Sequence, residues 1–297
     1  MITFIVNPAA GSGRALTAAP IIRRLMDKSG QPYEIIETTA PAHASELAKQ
    51  AADNGSHIVA SVGGDGTIQE VACGLVNTDA ALAVIPAGSG NDFLRSLNPT
   101  LKPAKNFEAR IEQFVKLLLT TAPVTIDAVR MNTFYFFNIG SVGIDAEISL
   151  QATDLKPKFG SSSYLVSTLQ NIFTYTPKLV RVECDGEAIE SQLSLVAVSN
   201  GSFYGGGFKI SPGADITDGK ITLCVIDKLS RPMFGLLFPL VIFGAHTKLK
   251  QVRYIDCKQV TLRYEGVMPV NLDGNIYNLK APLDFEIVEG GLKVIRG

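Results

Sequence analysis

Hydrophobic and polar positions alternate in two different ways along the chain, and the pattern changes near residue 123. In the N-terminal part, short apolar runs are separated by segments whose apolar residues recur at helical spacing. Alternation of strands and helices predicts a parallel sheet covered on both faces. The predicted strands are 2–6, 33–38, 57–62 and 81–86, and the predicted helices are 14–29, 42–54, 67–77 and 107–121.

Beyond Pro123 the apolar segments are short, rich in β-branched and aromatic residues, and separated by Gly, Asp, Asn and Pro. This pattern predicts an all-β region, interrupted by helices around 160–175 and 231–246. We therefore expect an α/β domain at 1–122 and an all-β domain at 123–285. The closing segment 286–297 is expected either to stay with the second domain or to return to the first.

Composition excludes several classes of protein. Hydrophobic residues make up 46% of the chain, charged residues 19%, and the net charge is −1, so nothing attracts nucleic acid over a long range. The four cysteines form no C-x-x-C pair, and the first apolar run resembles a buried strand rather than a signal peptide. We expect reduced thiols in a cytoplasmic protein that binds no nucleic acid.

The longest apolar stretch, residues 232–245, is too short to span a bilayer and contains two prolines and two glycines. No transmembrane segment is therefore expected. Two interpretations of this stretch are open, a core helix, which is favoured, and a helix that touches a membrane.

Three glycine-rich turns follow three of the predicted strands, at 7–13 (NPAAGSG), 62–67 (VGGDGT) and 86–92 (PAGSGND). The carboxyl ends of parallel strands meet at one edge, where glycine lets a ligand approach the backbone and helix N-termini favour phosphate. One such turn alone is more often only a turn, and neither the G-x-G-x-x-G nor the P-loop pattern is present. Together they predict a phosphate cradle, in which Asp65 is suited to a magnesium ion or a ribose hydroxyl.

Four segments in the same order carry a family resemblance: GGDGT at 63–67, IPAGSGNDFLR at 85–95, NGSFYGGGFKISPGADITDGKI at 200–221 and LDFEIVEGGLKVIRG at 283–297. Together they resemble the diacylglycerol kinase catalytic-domain family, in particular its small soluble bacterial lipid kinases. The GGDGT loop is more distantly similar to that of NAD kinases and phosphofructokinases. The resemblance implies an N-terminal Rossmann-like parallel-sheet domain and a C-terminal β-sandwich domain, as in NAD kinases and diacylglycerol kinases.

In such kinases ATP lies in the cleft between the two domains. The resemblance implies that Asp65 is the acidic residue for the magnesium-nucleotide and a catalytic residue. Gln69 stands where the family usually has Asn, and Ser89 where close bacterial relatives often have Thr, but both keep a hydrogen-bonding side chain. The implied nucleotide-binding residues are Asn7, Pro8, Ala9, Ala10, Gly11, Thr38, Gly63, Gly64, Asp65, Gly66, Thr67, Ile68, Gln69 and Ser89.

The segment SPGADITDGK, residues 211–220, is where the family's pattern implies a second magnesium ion. Its ligands would be the Asp218 carboxylate and the main-chain oxygens of Asp215 and Lys220, because this hard cation prefers oxygen. The alternative is a hairpin turn, since Asp218-Gly219 between apolar runs is a strong turn signal. The resemblance favours the metal.

The turn NLDGN, residues 271–275, falls where the family typically has Asp-Gly-Glu, whose glutamate is the proposed general base. This chain has Asn275, and an amide cannot accept a proton at neutral pH. A general base contributes roughly 10²–10⁴-fold, so its loss need not abolish a reaction that depends mainly on positioning. Asn275 is expected to orient a hydroxyl, and Asp273 is the candidate substitute base.

These features predict a kinase that transfers the γ-phosphoryl group of ATP to a lipid hydroxyl, most simply diacylglycerol, taken from a membrane surface. Apolar residues within 231–246 are expected to shield the acyl chains. Asp145, in the glycine-rich segment 140–148, either lines the cleft or caps a turn or helix. The alternatives are a kinase for a sphingoid lipid or soluble metabolite, and a catalytically weak nucleotide- and lipid-binding relative. Edge strands leave both a homodimer and a covered edge open.

Overall fold

The computed structural model describes residues 1–88, 90–98, 100–159, 167–168, 170–171 and 174–297. The chain forms two compact units: unit 1 comprises Met1–Ala128 with Glu289–Gly297, and unit 2 comprises Val129–Val288. Both borders fall inside continuous strands, β5 (Val124–Met131) and β15 (Leu283–Val294). The first border thus lies beyond the expected 122–124. The sequence could not locate it, because the hydrophobic pattern of a strand does not change at the residue where the strand leaves one unit and enters the other.

Unit 1 contains a parallel sheet in the order β2-β1-β3-β4-β15. Strands β1, β3 and β4 are buried along their whole length, as expected for strands with helices on both faces. Val6 pairs with Val62, which in turn pairs with Ile85, so these three strands end level with one another. The strands are β1 (Ile2–Val6), β2 (Tyr33–Glu37), β3 (Ile58–Gly63) and β4 (Ala81–Pro86).

Helices α1 and α5 pack on one face of this sheet, and α2 and α3 pack on the other. The hydrophobic core of unit 1 contains Ile22 and Phe114 from the helices together with the fully buried Phe4 of β1. Burying one such aromatic side chain stabilises the fold by about 1.5–3 kcal/mol. The helices are α1 (Arg14–Ser29), α2 (His43–Asp53), α3 (Asp65–Leu75), α4 (Asp92–Leu97) and α5 (Phe107–Thr120). The sequence pattern did not predict α4, which has only six residues.

Unit 2 is built around strand β9 (Glu187–Ser199), which pairs antiparallel with β7, β8 and β10. Successive residues of a strand face opposite sides, and here Val196 and Val198 enter one core while Leu195 and Ala197 enter another. The strands are β6 (Phe134–Phe136), β7 (Ile139–Gly143), β8 (Lys178–Cys184), β10 (Ile221–Asp227), β11 (Val252–Cys257), β12 (Gln259–Arg263), β13 (Val267–Leu272) and β14 (Asn275–Lys280).

Two helices of unit 2 cover the face of β9 that carries Leu195, α6 (Ile144–Phe159) and α7 (Arg231–Ile242). Helix α7 lies within the predicted 231–246, whereas most of the predicted helix around 160–175 lies outside the described residues. Helix α6 was not predicted, because it begins directly at the end of β7 without a connecting loop. No helix in the described ranges is both long and apolar enough to cross a membrane.

The predicted fold class is therefore confirmed: an α/β unit with a parallel sheet is joined to a predominantly antiparallel β unit. All four cysteines are free thiols, and three of them are buried.

Candidate active site

Three loops come together at the carboxyl edge of the unit 1 sheet. We name them loop A (Asn7–Gly13), loop B (Gly63–Thr67) and loop C (Pro86–Asp92), and Ser89 of loop C lies outside the described residues. The Gly63 carbonyl accepts the N–H groups of Ala87, at 2.7 Å, and Gly88, at 3.1 Å. Loop A is joined to loop B because Asn7 Nδ2 donates to Thr67 Oγ1 at 2.9 Å. The predicted cradle is thus a single hydrogen-bonded cluster.

The glycines of this cluster allow the loops to touch one another. A Cβ atom on Gly88 would lie 2.5 Å from the Gly64 Cα, and one on Gly11 would lie 2.1 Å from the Ala87 carbonyl oxygen. No side chain fits at either contact. Sequence reasoning assigned these glycines to the close approach of a ligand, whereas the structure shows that they are required first for packing between loops.

Asp65, the first residue of α3, holds loop C against loop B. Its Oδ2 accepts the Asn91 N–H at 2.6 Å and its Oδ1 accepts the Asp92 N–H at 2.8 Å, where α4 begins. A Cβ atom on Gly90 would lie 2.4 Å from Oδ2, so loop C needs glycine there as well. The carboxylate therefore positions loop C, and its predicted role toward a magnesium-nucleotide stays a prediction.

Helix α3 starts at loop B, and no side chain in the described part of the chain caps it. The first-turn N–H groups of a helix have no partner within the helix, so those of Asp65, Gly66 and Thr67 can bind an anion such as phosphate. In loop A, the Ala9 N–H donates to Asn7 Oδ1 at 3.0 Å, which shapes the turn through Pro8 and Ala10.

The remaining residues that were predicted to bind the nucleotide are less accessible to a ligand. Thr38 is buried after β2, and its N–H donates to the Val6 carbonyl at 2.9 Å. Ile68 and Gln69 are buried in α3, where Gln69 Nε2 lies 3.5 Å from Cys73 Sγ. These residues support the loops, and direct contact with a nucleotide stays a prediction for them.

In unit 2, the predicted metal loop forms a chain of local hydrogen bonds. Asp215 Oδ1 accepts the Thr217 N–H and hydroxyl, and Asp218 Oδ1 accepts the Lys220 N–H at 3.0 Å. Partial burial raises the pKa of Asp218, and the negative charges of Asp215 and Asp256 add to this effect. No group of three or more His, Cys, Asp or Glu side chains suited to a metal occurs in the described residues.

The NLDGN segment forms the turn between β13 and β14. Leu272 pairs with Asn275 across a two-residue loop in which Asp273 has φ 50° and Gly274 has φ 93°, as a type I′ hairpin requires. The turn that the Asp-Gly signal predicted is therefore present. Asn275 is half-buried and starts β14.

The Asp273 carboxylate is occupied by the backbone that joins β6 to β7. Oδ2 accepts the Phe137 N–H at 2.7 Å, and Oδ1 accepts those of Asn138 at 3.0 Å and Ile139 at 2.8 Å. Since three N–H groups surround it, the carboxylate anchors this connection. The geometry does not favour Asp273 as the substitute base.

A largely apolar pocket lies between β9, β10 and the two helices of unit 2. Asp145, in the first turn of α6, is its charged lining residue. The hydrophobic side chains that line it include Ile144, Ile148, Leu195, Phe234, Leu237 and Val241.

Asp145 is 3% exposed, and burial raises its pKa to about 6, against the opposing hydrogen bonds from the Ser141 hydroxyl, backbone N–H groups and the Asn271 amide. Its Oδ1 has no well-formed hydrogen bond among the described residues, and the same holds for the buried Tyr175 hydroxyl. The Tyr175 ring packs edge-on against Phe234 at 6.1 Å. Asp145 Oδ1, an acceptor in the pocket lining, and the Tyr175 hydroxyl, a donor on a ring that packs against the lining residue Phe234, have no well-formed hydrogen bond in the described part of the chain. Such a pair suits an amphipathic ligand that carries a hydroxyl.

Asn271 links this pocket to the turn. Its Oδ1 accepts the Gly274 N–H at 2.8 Å, and its side-chain amide is close enough to Asp145 to lower the pKa of that carboxyl. The sequence pointed to Asp273 and Asn275 of the NLDGN turn but not to Asn271. The sequence signal for a role of Asn271 was its polar amide at a strand position, which the structure shows to be buried.

Comparison with known proteins covers nearly the whole chain. The family model described as the diacylglycerol kinase catalytic domain matches residues 1–130, and that described as the YegS C-terminal NAD kinase beta sandwich-like domain matches 138–296. A diacylglycerol kinase of Mycobacterium tuberculosis (strain H37Rv) is 30% identical over 304 residues, with 99% of this chain and 94% of that protein covered. This chain belongs to the diacylglycerol kinase family.

Further comparisons support the same family assignment. A diacylglycerol kinase of Bacillus subtilis (strain 168) is 27% identical, with 91% of this chain and 88% of that protein covered. A crystal structure from Bacillus anthracis str. Sterne, provisionally assigned as a diacylglycerol kinase, has a TM-score of 0.82 and 25% identity, with 100% of this chain and 95% of that chain covered. The protein is therefore a lipid kinase, a phosphotransferase that uses ATP and an alcohol acceptor.

Gly88→Ala is expected to disrupt the three-loop cluster of this family member. Because the new Cβ meets backbone, the loops must separate, and we expect a loss of about 1–3 kcal/mol in the free energy of unfolding together with weaker ATP binding. Denaturant unfolding and calorimetric titration with ATP measure both. The matched control is Gly235→Ala in α7, where nothing lies within 4 Å and a gain of about 0.5–1 kcal/mol is expected. Unchanged ATP affinity in Gly88→Ala would contradict the analysis.

Asp273→Asn is expected to act on stability. An amide NH₂ placed against a backbone N–H leaves donors unsatisfied, at a cost of about 1–3 kcal/mol in the free energy of unfolding. The exposed Asp284→Asn serves as control, with an expected change within about 0.5 kcal/mol. If Asp273→Asn instead kept full stability while kcat fell by roughly 10²–10⁴-fold, Asp273 would be the general base after all.

Asp145→Asn is expected to stabilise the protein at neutral pH. The folded-state pKa of about 6 exceeds the ordinary 3.8, so the folded protein binds this proton more tightly and loses stability as pH rises from about 4 through 6. The amide variant escapes that loss, which amounts to about 3 kcal/mol above pH 6 at about 1.36 kcal/mol per pH unit.

Unfolding curves of the wild type and Asp145→Asn, recorded from acid to neutral pH, should therefore diverge as pH rises and coincide below about pH 4. The exposed Asp53→Asn provides the comparison. A constant difference at every pH would show that the Asp145 carboxyl is not the titrating group.

Proposed function

We propose that this kinase transfers the γ-phosphoryl group of ATP to the hydroxyl of a diacylglycerol-class lipid whose acyl portion occupies the apolar pocket of unit 2. The observation that carries the proposal is the pairing of that pocket with two buried polar atoms, Asp145 Oδ1 and the Tyr175 hydroxyl, that have no well-formed hydrogen bond to any described residue. Apolar walls suit acyl chains, and a donor beside an acceptor suits a hydroxyl or ester group. The names of the similar proteins support the same acceptor.

Unit 1 would bind the nucleotide through backbone groups. Loops A and B present helix N-termini at one sheet edge, and such N–H groups stabilise phosphate charge without needing to reorganise. Asp65 would act through loop C by fixing its backbone at Asn91 and Asp92. Phosphoryl transfer depends mainly on positioning and electrostatics, so a rigid loop cluster that fixes the phosphates in place would favour the reaction.

Asp145 is the group in this chain that we propose receives the acceptor hydroxyl. Its pKa of about 6 leaves the carboxylate mostly ionised yet still basic at neutral pH, which is the range in which an acceptor for a hydroxyl proton works best. The Ser141 hydroxyl holds its orientation by donating to Oδ2, and the nearby Asn271 amide lowers its pKa. Asn275 would orient the hydroxyl by hydrogen bonding rather than take its proton.

The 211–220 loop has a donor set that fits magnesium. Asp218 is a carboxylate whose partial burial and acidic neighbours raise its pKa, a condition that a bound cation would relieve. The main-chain oxygens of Asp215 and Lys220 would complete the protein ligands, and an ion bound there would supply positive charge and rigidity to the loop.

A catalytically weak nucleotide- and lipid-binding protein is the second candidate. It is favoured by one observation: Asn275 replaces the family's glutamate while Asp273 is committed to three backbone N–H groups. A homodimer through an edge strand and peripheral contact with a membrane stay predictions.

Phosphorylation of a lipid panel with labelled ATP in mixed micelles tests the proposal. We expect slow conversion of diacylglycerol, faster conversion by Asn275→Glu, and a fall in kcat/KM for Asp145→Asn. In the wild type, kcat/KM should rise as pH passes about 6, since the ionised carboxylate is required.

Asn278→Glu, an exposed position on the same strand, is the control for Asn275→Glu and should leave the rate unchanged. ATP binding without turnover on any lipid, unaltered by Asn275→Glu, would establish the binding protein instead.

A further inference from the structure

Helix α7 is apolar on two opposite sides. Its inner side places Phe234, Leu237 and Val241 in the wall of the pocket, where all three are buried. At its outer side and C-terminal end, Leu236 is 51% exposed, Ile242 44% and Phe243 82%. A packed helix normally turns polar residues outward, so an apolar outer side indicates contact with a second apolar phase.

The chain around this helix is strongly basic. Between Asp227 and Asp256 there are five Lys and Arg residues and no Asp or Glu, although the whole chain has a net charge of −1. Two of the five are satisfied internally, because Arg253 pairs with Asp227 at 2.6 Å and Lys228 donates to Gln192 at 2.9 Å. The other three, Arg231, Lys248 and Lys250, are exposed and form no ion pair within the described residues.

We propose that this surface, made of Leu236, Ile242 and Phe243 with Arg231, Lys248 and Lys250, docks onto an anionic phospholipid bilayer. Apolar side chains insert at the level of the acyl boundary while cations face anionic headgroups, which is the pattern of an interfacial helix. The proposal rests on the proposed function for the route of the substrate. Because one helix carries both the pocket wall and the docking surface, a lipid can pass from bilayer to pocket along α7.

Cosedimentation of the full chain with vesicles tests the docking itself. Wild-type protein should bind phosphatidylcholine vesicles that contain phosphatidylglycerol and bind pure phosphatidylcholine much more weakly. The double variant L236S/F243S should partition roughly 10- to 100-fold less, because two apolar side chains are lost. K248Q/K250Q should lose roughly tenfold on the anionic vesicles only.

Matched controls lie on the same unit at sites away from α7 in sequence. Leu179 is 59% exposed and Lys178 is exposed, so L179S and K178Q each make one substitution of the same type elsewhere on the surface and should bind vesicles like the wild type. Equal losses in L179S and L236S/F243S would overturn the proposal. Loss of a dimer in light scattering, with unchanged vesicle binding, would also overturn it and assign the surface to a second copy of this chain.

Activity assays separate this inference from the proposed function. On a short-chain diacylglycerol dispersed below its micelle concentration, L236S/F243S should keep the wild-type rate, whereas on long-chain diacylglycerol in anionic vesicles it should be slowed in proportion to its lost binding. Equal losses on both substrates would contradict a docking role. If the wild type phosphorylated neither lipid, the proposed function would fail, and the vesicle-binding comparison would still decide the docking.

Discussion

The carboxyl edge of the unit 1 sheet depends on backbone contacts that only glycine permits. Gly11 meets the Ala87 carbonyl, Gly88 meets Gly64, and Gly90 meets the Asp65 carboxylate, so the three loops touch without intervening side chains. The level ends of β1, β3 and β4 bring the loops together, and the Asp65 carboxylate fixes the third loop by accepting two N–H groups. Open helix N–H groups can serve phosphate because the surrounding backbone is held in place.

Three aspartates of this chain show how environment decides what a carboxylate does. Asp65 and Asp273 accept backbone N–H groups on both oxygens and act as anchors for loops. Asp145 is buried beside an apolar pocket with one oxygen lacking a well-formed hydrogen bond among the described residues, and its pKa rises to about 6. A carboxylate oxygen that receives no well-formed hydrogen bond from the described residues is able to accept one from a ligand.

The apolar helix α7 combines two tasks that are usually divided between elements. Its inner residues complete the core and the pocket, while its outer residues and the flanking cations form a surface of a different character. Both sides are apolar, so helical periodicity cannot separate them, which explains why the sequence left a core helix and a membrane-touching helix as alternatives. In the structure the inner side of the helix lies in the core, and the exposed outer side is the surface for which membrane docking is proposed.

Sequence alone determined the two-part architecture, the parallel sheet, the bounds of most helices in unit 1, the Asp273-Gly274 turn and the family, because periodicity, turn chemistry and ordered motifs are local properties. It did not reveal α6, the reason for the glycines in the loops, or the pocket around Asp145, since each depends on residues distant in the chain. Asp273 is the clearest case: its type and place in a turn were predicted, but its three partners lie more than a hundred residues earlier. Only tertiary structure brings those N–H groups to the carboxylate, and so only tertiary structure decides whether it anchors the chain or accepts a proton.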